Sequence, residues 1–181
     1  LRVYIRSGPK PHGPGAHDYP RYLKDWVPLL NERGAQATGA ETFPTKAQLY
    51  AANGYLVLHP NPRGSTGYGQ DFCLAIWRDW GGPDYADVMA AVDDAVARGW
   101  ADPERLGVTG WSYGGMLTNH VITKTDRFKA AATGASATLY AANYGHDMYQ
   151  NWWEQELGFP WEPEARPLYE RLSPYYRLDQ V

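Results

Sequence analysis

Residues 106–115, LGVTGWSYGG, constrain the fold more tightly than any other stretch of the chain. A short β-branched run leads into Gly110-Trp111-Ser112-Tyr113-Gly114, and a helix-like segment, MLTNHVITKT, follows directly. A glycine two residues on either side of a serine lets strand and helix backbones close on each other without a Cβ between them. The serine is then thrust out of a sharp turn at the helix N-terminus, where the helix dipole and unpaired N–H groups favour developing negative charge. The pattern therefore predicts Ser112 as a nucleophile, with the Tyr113 backbone N–H as an oxyanion donor. The competing reading is a tight glycine turn without chemistry.

The rest of the chain supplies the setting for such a turn. LRVYIR at the start alternates as a strand, and YLKDWVPLLNERG has helical periodicity stopped by Gly34. KAQLYAANG reads as a short helix ending at Gly54, and 55-YLVLH-59 as a buried strand. DYADVMAAVDDAVARGW places Val88, Ala91, Val92, Ala95 and Val96 at helical spacing before Gly99. Asp84 and Asp87 are expected to cap and charge-complement the start of that helix. Leu106–Thr109 and 128-FKAAATGAS are further strands, and beyond residue 140 the pattern becomes irregular and aromatic. Strands alternating with helices imply parallel crossovers, so the fold class is α/β: a mostly parallel sheet flanked by helices.

Bulk properties exclude several function classes. Seventeen basic against 20 acidic residues give a net charge of −3, which leaves no electrostatic footprint for nucleic acid. No apolar run reaches membrane-spanning length and no leader pattern opens the sequence, which fits a cytoplasmic protein without a membrane partner. Cys73 stands alone, excluding an internal disulfide. His12, His17 and Asp18 lie in one polar loop but lack the ligand spacing of a structural zinc site, so no metal and no cofactor are expected. Eight Trp and 14 Tyr are a heavy aromatic load of the kind that lines pockets. Trp111, Trp152 and Trp153, with Phe159 and Trp161, are candidates to roof an apolar substrate pocket; simple core packing is the alternative.

Four stretches, AANGYLVLHPNPRGSTGYG, DWGGPDYADV, DPERLGVTGWSYGGM and RLSPYY, occur in this order over about 130 residues from Ala51 to the C-terminus. Together they resemble the catalytic domain of the prolyl oligopeptidase family, in particular its acylaminoacyl-peptidase and dipeptidyl-peptidase-like members. The resemblance implies an α/β-hydrolase fold and hydrolysis of peptide or ester bonds through an acyl-enzyme on Ser112. It further implies Tyr68, in the loop 61-NPRGSTGYG-69, as a side-chain oxyanion donor beside the Tyr113 amide. A phenol on a glycine-rich loop after a parallel strand has the right chemistry for that role, although a packing tyrosine is equally compatible with the residues alone. Arg63 in the same loop could orient a substrate carbonyl or brace the loop by a salt bridge.

The partners of the serine are the difficulty. In α/β-hydrolases the acid and then the histidine follow the nucleophile. His120 lies eight residues into the helix, about 12 Å along it from Ser112, too far for proton transfer. Asp126, past the end of that helix, is expected at the opposite end of the sheet. His146 is expected in a loop on the serine side and is an alternative base, with Asp147 or Glu154 near, but neighbouring residues rarely place both side chains on one line. The family resemblance puts the acid and the histidine after the segment ending RLSPYYRLDQV, leaving this chain catalytically incomplete and open to completion of its sheet by another chain. The family's His-Gly-Gly-Pro loop is also missing before Ala51. Residues 1–45 instead resemble the start of trehalose-utilisation-protein-like domains. The expectation is a single α/β domain over 1–181 that is composite in origin, with a junction near 45–50 between an N-terminal segment (1–48) and a truncated hydrolase catalytic domain (49–181). A non-catalytic binding module, and a carbohydrate-pathway protein read from the first 45 residues, are the competing functions.

Overall fold

Elements are set by the chain's glycines and prolines as much as by its apolar spacing. The computed structural model describes the backbone of residues 2–6, 36–40 and 45–181, and side chains from Gln48 onward. The chain divides into two compact units, Leu1–His59 and Pro60–Val181.

In the first unit, β1 (Arg2–Arg6) pairs in parallel with β2 (Gln36–Ala40), from Arg2 opposite Gln36 to Arg6 opposite Ala40. The β2 sequence QATGA carries almost no strand signal of its own, and its pairing with β1 defines it. Helix α1 (Thr45–Ala52) ends as expected: Gly54 takes φ +86° and its N–H donates to the Ala51 carbonyl at 3.1 Å. The stretch 55-YLVLH-59, expected as a buried strand, is neither. It has no regular structure, and Tyr55, Leu56 and Leu58 are exposed. An apolar run becomes a strand only where a neighbouring strand takes its backbone groups, and here the Tyr55 N–H turns back to the Tyr50 carbonyl at 3.1 Å. The helix expected over YLKDWVPLLNERG and the loop bearing His12, His17 and Asp18 lie outside the described residues.

The second unit opens on the loop 61–69 and the short helix α2 (Gln70–Leu74), then α3 (Pro83–Ala97). Pro83 suits the first helical turn, where its missing N–H costs nothing, and Gly99 at φ +69° closes the helix. A 3₁₀ turn at Pro103–Arg105, with the Asp102 carboxylate accepting from the Glu104 N–H at 3.0 Å, delivers the chain into β3 (Leu106–Trp111). Helix α4 (Tyr113–Ile122) crosses back, and β4 (Phe128–Gly134) runs parallel to β3 with Trp111 opposite Gly134. α4 lies against both strands. The α/β class and its parallel pairing are therefore as expected, with two strands in each unit among the described residues.

The aromatic tail is more ordered than its sequence pattern predicts. It folds into α5 (Tyr140–His146), α6 (Gln150–Leu157), α7 (Arg166–Leu172) and a 3₁₀ stretch at Pro174–Gln180. These helices are short and bury large rings rather than an aliphatic stripe, which hides the usual periodicity. The core joins Trp80, Met116, Tyr140, Trp153, Leu157, Tyr169 and Leu172. Trp80 sits among four rings: it stacks on Trp152 (5.0 Å, 8°) and meets Tyr140, Trp153 and Tyr113 at 5.5, 5.7 and 6.3 Å. The RLSPYY motif ties this tail down. Buried Ser173 accepts from the Tyr140 N–H at 3.0 Å and donates to the Tyr169 carbonyl at 2.6 Å, so one hydroxyl joins the start of α5 to the last turn of α7.

Candidate active site

Ser112 lies between β3 and α4 at φ 57°, ψ −123°. Such a conformation costs a non-glycine residue about 1–3 kcal/mol and persists only where the surroundings over-determine it. Three contacts do so. The Ser112 N–H donates to the Gly134 carbonyl at 3.0 Å, extending the ladder one residue past β3; the Ser112 carbonyl accepts from the Met116 N–H at 3.0 Å, starting α4; and Gly110 lies against the helix. A Cβ at Gly110 would stand 2.0 Å from the Gly114 carbonyl oxygen. Gly114 itself is different: a Cβ there would meet nothing within 4 Å, so its expected role in close packing falls to its backbone alone. The tight glycine that the sequence reading missed is Gly115, whose Cβ would meet the Gly134 carbonyl and the Ser136 Cβ, each at 2.7 Å. The double glycine was its only sequence signal. A second left-handed residue, Ala135 at φ 47°, follows β4 at the same sheet edge.

The side chain of Ser112 is exposed, and among the described residues its hydroxyl makes no hydrogen bond. Trp111, 63% exposed, lays its ring over Gly134, where a Cβ would come within 2.5 Å of it. Tyr113 turns the other way, its phenol donating to the Asp84 carboxylate at 2.8 Å.

The loop 61–69 is braced at several points. Gly64, Gly67 and Gly69 all take φ between 92° and 95°. The Arg63 guanidinium grips Asp87 through Nε and Nη2 (2.7 Å at the shortest) and donates to the Pro83 carbonyl, while the Arg63 N–H donates to the same carboxylate. The pair holds the Asp87 pKa below its ordinary value, the guanidinium hydrogen bond being the main cause. Arg63 thus occupies the loop-bracing position. Asp84 lies in the first turn of α3, as charge complementation requires, but neither it nor Asp87 caps the helix: Gly82 precedes α3 without a side-chain cap, and the two carboxylates accept from Tyr113 and Arg63. Tyr68 is 57% exposed at the loop's end, its ring against Phe72 and its hydroxyl accepting from the Asn61 amide at 2.9 Å.

The aromatic candidates separate. Trp153, expected in a substrate pocket, is instead core: it is 2% exposed, packed on Tyr140 and Tyr169, and its indole N–H donates to Asp147 at 2.9 Å. Trp152 keeps an exposed edge while stacked on Trp80, and Phe159 stacks on Trp161 at the surface. Helical spacing explains the split, since adjacent residues of α6 cannot face the same way.

The histidines that follow Ser112 are placed as follows. His120 is buried in α4 with its ring against Gly81, where a Cβ would stand 2.3 Å away. Arg177 can only donate, at 3.3 Å to Nδ1, so Nε2 carries the proton and donates to the Tyr140 hydroxyl at 3.0 Å. Burial, then the charges of Lys124 and Arg177, lower its pKa to about 3. It is a neutral core residue. His146 ends α5 rather than lying in a loop, and it is exposed. Its expected acids are engaged elsewhere: Asp147 by the Tyr149 N–H and the Trp153 indole, Glu154 by the Tyr144 hydroxyl at 2.8 Å. Among the described residues, no cluster of His, Cys, Asp or Glu could hold a metal ion, and no helix is long and apolar enough to cross a membrane.

Known proteins share this arrangement of sequence. A peptidase of Bacillus subtilis known as YuxL is 51% identical over 125 residues, 61% of this chain and 19% of its own length. The acylamino-acid-releasing enzyme of Arabidopsis thaliana is 34% identical over 156 residues, 82% of this chain and 20% of its own. In structure, Pyrococcus horikoshii acylaminoacyl peptidase superposes with a TM-score of 0.71 at 31% identity, over 80% of this chain and 24% of that one. The chain thus spans about a fifth of the length of these curated relatives. The model of the prolyl oligopeptidase family matches residues 41–181, a segment that contains the braced loop, the strained serine and the Ser173 tie alike; the chain belongs to that family.

Proposed function

We propose that this chain carries the nucleophile and oxyanion side of a serine peptidase or esterase site. The observation that carries the reading is the Ser112 backbone, held at φ 57° with an exposed, uncommitted hydroxyl at the head of α4. In the reaction the Ser112 oxygen attacks the carbonyl carbon of a peptide or ester. The C=O electrons move onto oxygen, and the Tyr113 N–H and Tyr68 O–H donate to that oxyanion. Collapse expels the amine or alcohol, which takes up the proton given up by the Ser112 hydroxyl, and leaves an acyl-enzyme that water hydrolyses. Trp152 and the Phe159–Trp161 pair, with the exposed Trp111 at the elbow, supply ring surface for an apolar substrate group. Arg63 serves indirectly, by fixing the loop that bears Tyr68. No cofactor takes part.

Proton transfer needs a base and an acid, and among the described residues neither is hydrogen-bonded to the Ser112 hydroxyl. Lys129–Thr133 of β4 are exposed, which supports completion of the sheet by further strands or another chain. On this reading the 181-residue chain alone is a poor hydrolase, because an unassisted serine hydroxyl is a weak nucleophile at neutral pH. Among the described residues no imidazole is hydrogen-bonded to the Ser112 hydroxyl, which also fits a second reading, a binding module that keeps the pocket without turnover. A fluorophosphonate probe separates the cases. Slow labelling that disappears in Ser112→Ala is expected for the incomplete hydrolase. No labelling in a folded protein favours the binding module. Fast stoichiometric labelling refutes the missing base, and His146→Ala then tests whether that residue supplies it.

A further inference from the structure

Asp84 is a carboxylate with no exposed surface, on the first turn of α3. One oxygen accepts the Tyr113 phenol at 2.8 Å; the other, also buried, has no hydrogen-bond partner. Burying a carboxylate with one oxygen unsatisfied is expensive, and an apolar pair of the same shape would hold the two helices together at less cost. The position of its partner supplies a reason. Tyr113 immediately follows the strained serine, and its own backbone N–H is the proposed oxyanion donor. Three contacts fix the elbow from the sheet and helix side, through Ser112 and Gly110. On the opposite side, the Tyr113 ring packs edge-on against Trp80 at 6.3 Å, and its hydroxyl is tied to Asp84. The side chain of a residue fixed at both ring and hydroxyl fixes the plane of that residue's backbone. Lys124, which donates to the Gly81 carbonyl, supplies a positive charge near Asp84, as does the N-terminal dipole of α3.

We infer that Asp84 is a positioning residue for the oxyanion hole, acting through the Tyr113 phenol to hold the Tyr113 N–H at the angle the oxyanion requires. This rests on the serine-hydrolase reading of Ser112. The phenol remains protonated and donating at every physiological pH, because burial and then the Asp84 charge raise its pKa well above the ordinary tyrosine range. Loss of one oxyanion donor costs roughly 10²–10³-fold in rate. A donor left in place but misaligned should cost less, roughly tenfold or more.

The experiment is saturation labelling of Ser112 by a fluorophosphonate, resolving the maximal rate from the half-saturating concentration, with urea unfolding of the same proteins. Tyr113→Phe removes one oxygen and keeps the ring against Trp80. It should slow the maximal rate roughly tenfold or more while leaving the half-saturating concentration within about twofold. Asp84→Leu should be as slow, and the double variant no slower than the slower single one, since both break one link. Asp84→Asn keeps an acceptor for the phenol and should recover to within about threefold of the parent. A fold-stabilising role alone would shift the urea midpoint and leave the maximal rate of the folded protein unchanged. That result in Tyr113→Phe overturns the inference even if Asp84→Leu does not fold. Absence of Ser112 labelling in the parent chain overturns the hydrolase reading and this inference with it, whereas normal labelling with unaffected variants overturns this inference alone.

Discussion

Acidification should destabilise the second unit through His120. The ring is buried between Gly81 and Tyr140, and Lys124 and Arg177 both oppose a positive charge on it. Its pKa falls from 6.5 to about 3 on folding. Between those values the unfolded chain binds a proton that the folded chain refuses, so stability is complete above pH 6.5 and declines as the pH falls toward 3. Each unit of pH in that window removes about 1.4 kcal/mol, so moving from pH 6.5 to pH 5 should cost about 2 kcal/mol. This is a large share of the stability of a small unit. The assay is urea unfolding followed by tryptophan fluorescence at pH 7.5, 6.5, 5.5 and 5.0, on the parent and on His120→Gln. Glutamine can donate to Tyr140 and accept from Arg177 but does not titrate, so its profile should be flatter by that amount. Parallel profiles would refute the reasoning, as would a His120 imidazole resonance titrating near pH 6.5 in the folded protein.

Substitution at three glycines and two tryptophans should separate the tight places from the open ones. Gly110→Ala should destabilise by about 3 kcal/mol or unfold the elbow, because its Cβ meets the Gly114 carbonyl backbone at 2.0 Å, and Gly115→Ala should be comparably harmful. Gly114→Ala, with open space for its Cβ in a helix, should stabilise by about 0.5–1 kcal/mol; equal unfolding midpoints for Gly110→Ala and Gly114→Ala would contradict the elbow geometry. Trp153→Ala should cost about 3–5 kcal/mol, against about 0.5 kcal/mol or less for Trp161→Ala at 67% exposure, read from the same urea transitions.

The α/β class, a strand beginning at Leu106 (read to Thr109, and two residues longer in the structure), the helices on either side of it and the serine turn were legible in the sequence, because each rests on local patterns. A β-branched run, glycines at fixed offsets and a helical apolar stripe act within a few residues of themselves. The exclusion of His120 as base was equally local, since helix rise sets its distance from Ser112. Other features depended on residues far apart in the chain. QATGA is a strand because β1 lies beside it, whereas YLVLH, the stronger strand former, has no regular structure and its first N–H turns back to Tyr50. Asp84 and Asp87 stand near the start of a helix, yet Tyr113 and Arg63, 29 and 24 residues away, take their carboxylates. Trp152 and Trp153 are chemically identical neighbours, and only the packing of α6 against Trp80, Tyr140 and Tyr169 decides which is buried. Local periodicity chooses the elements; the destination of a buried charge or a large ring is chosen by the surfaces that the fold brings to it.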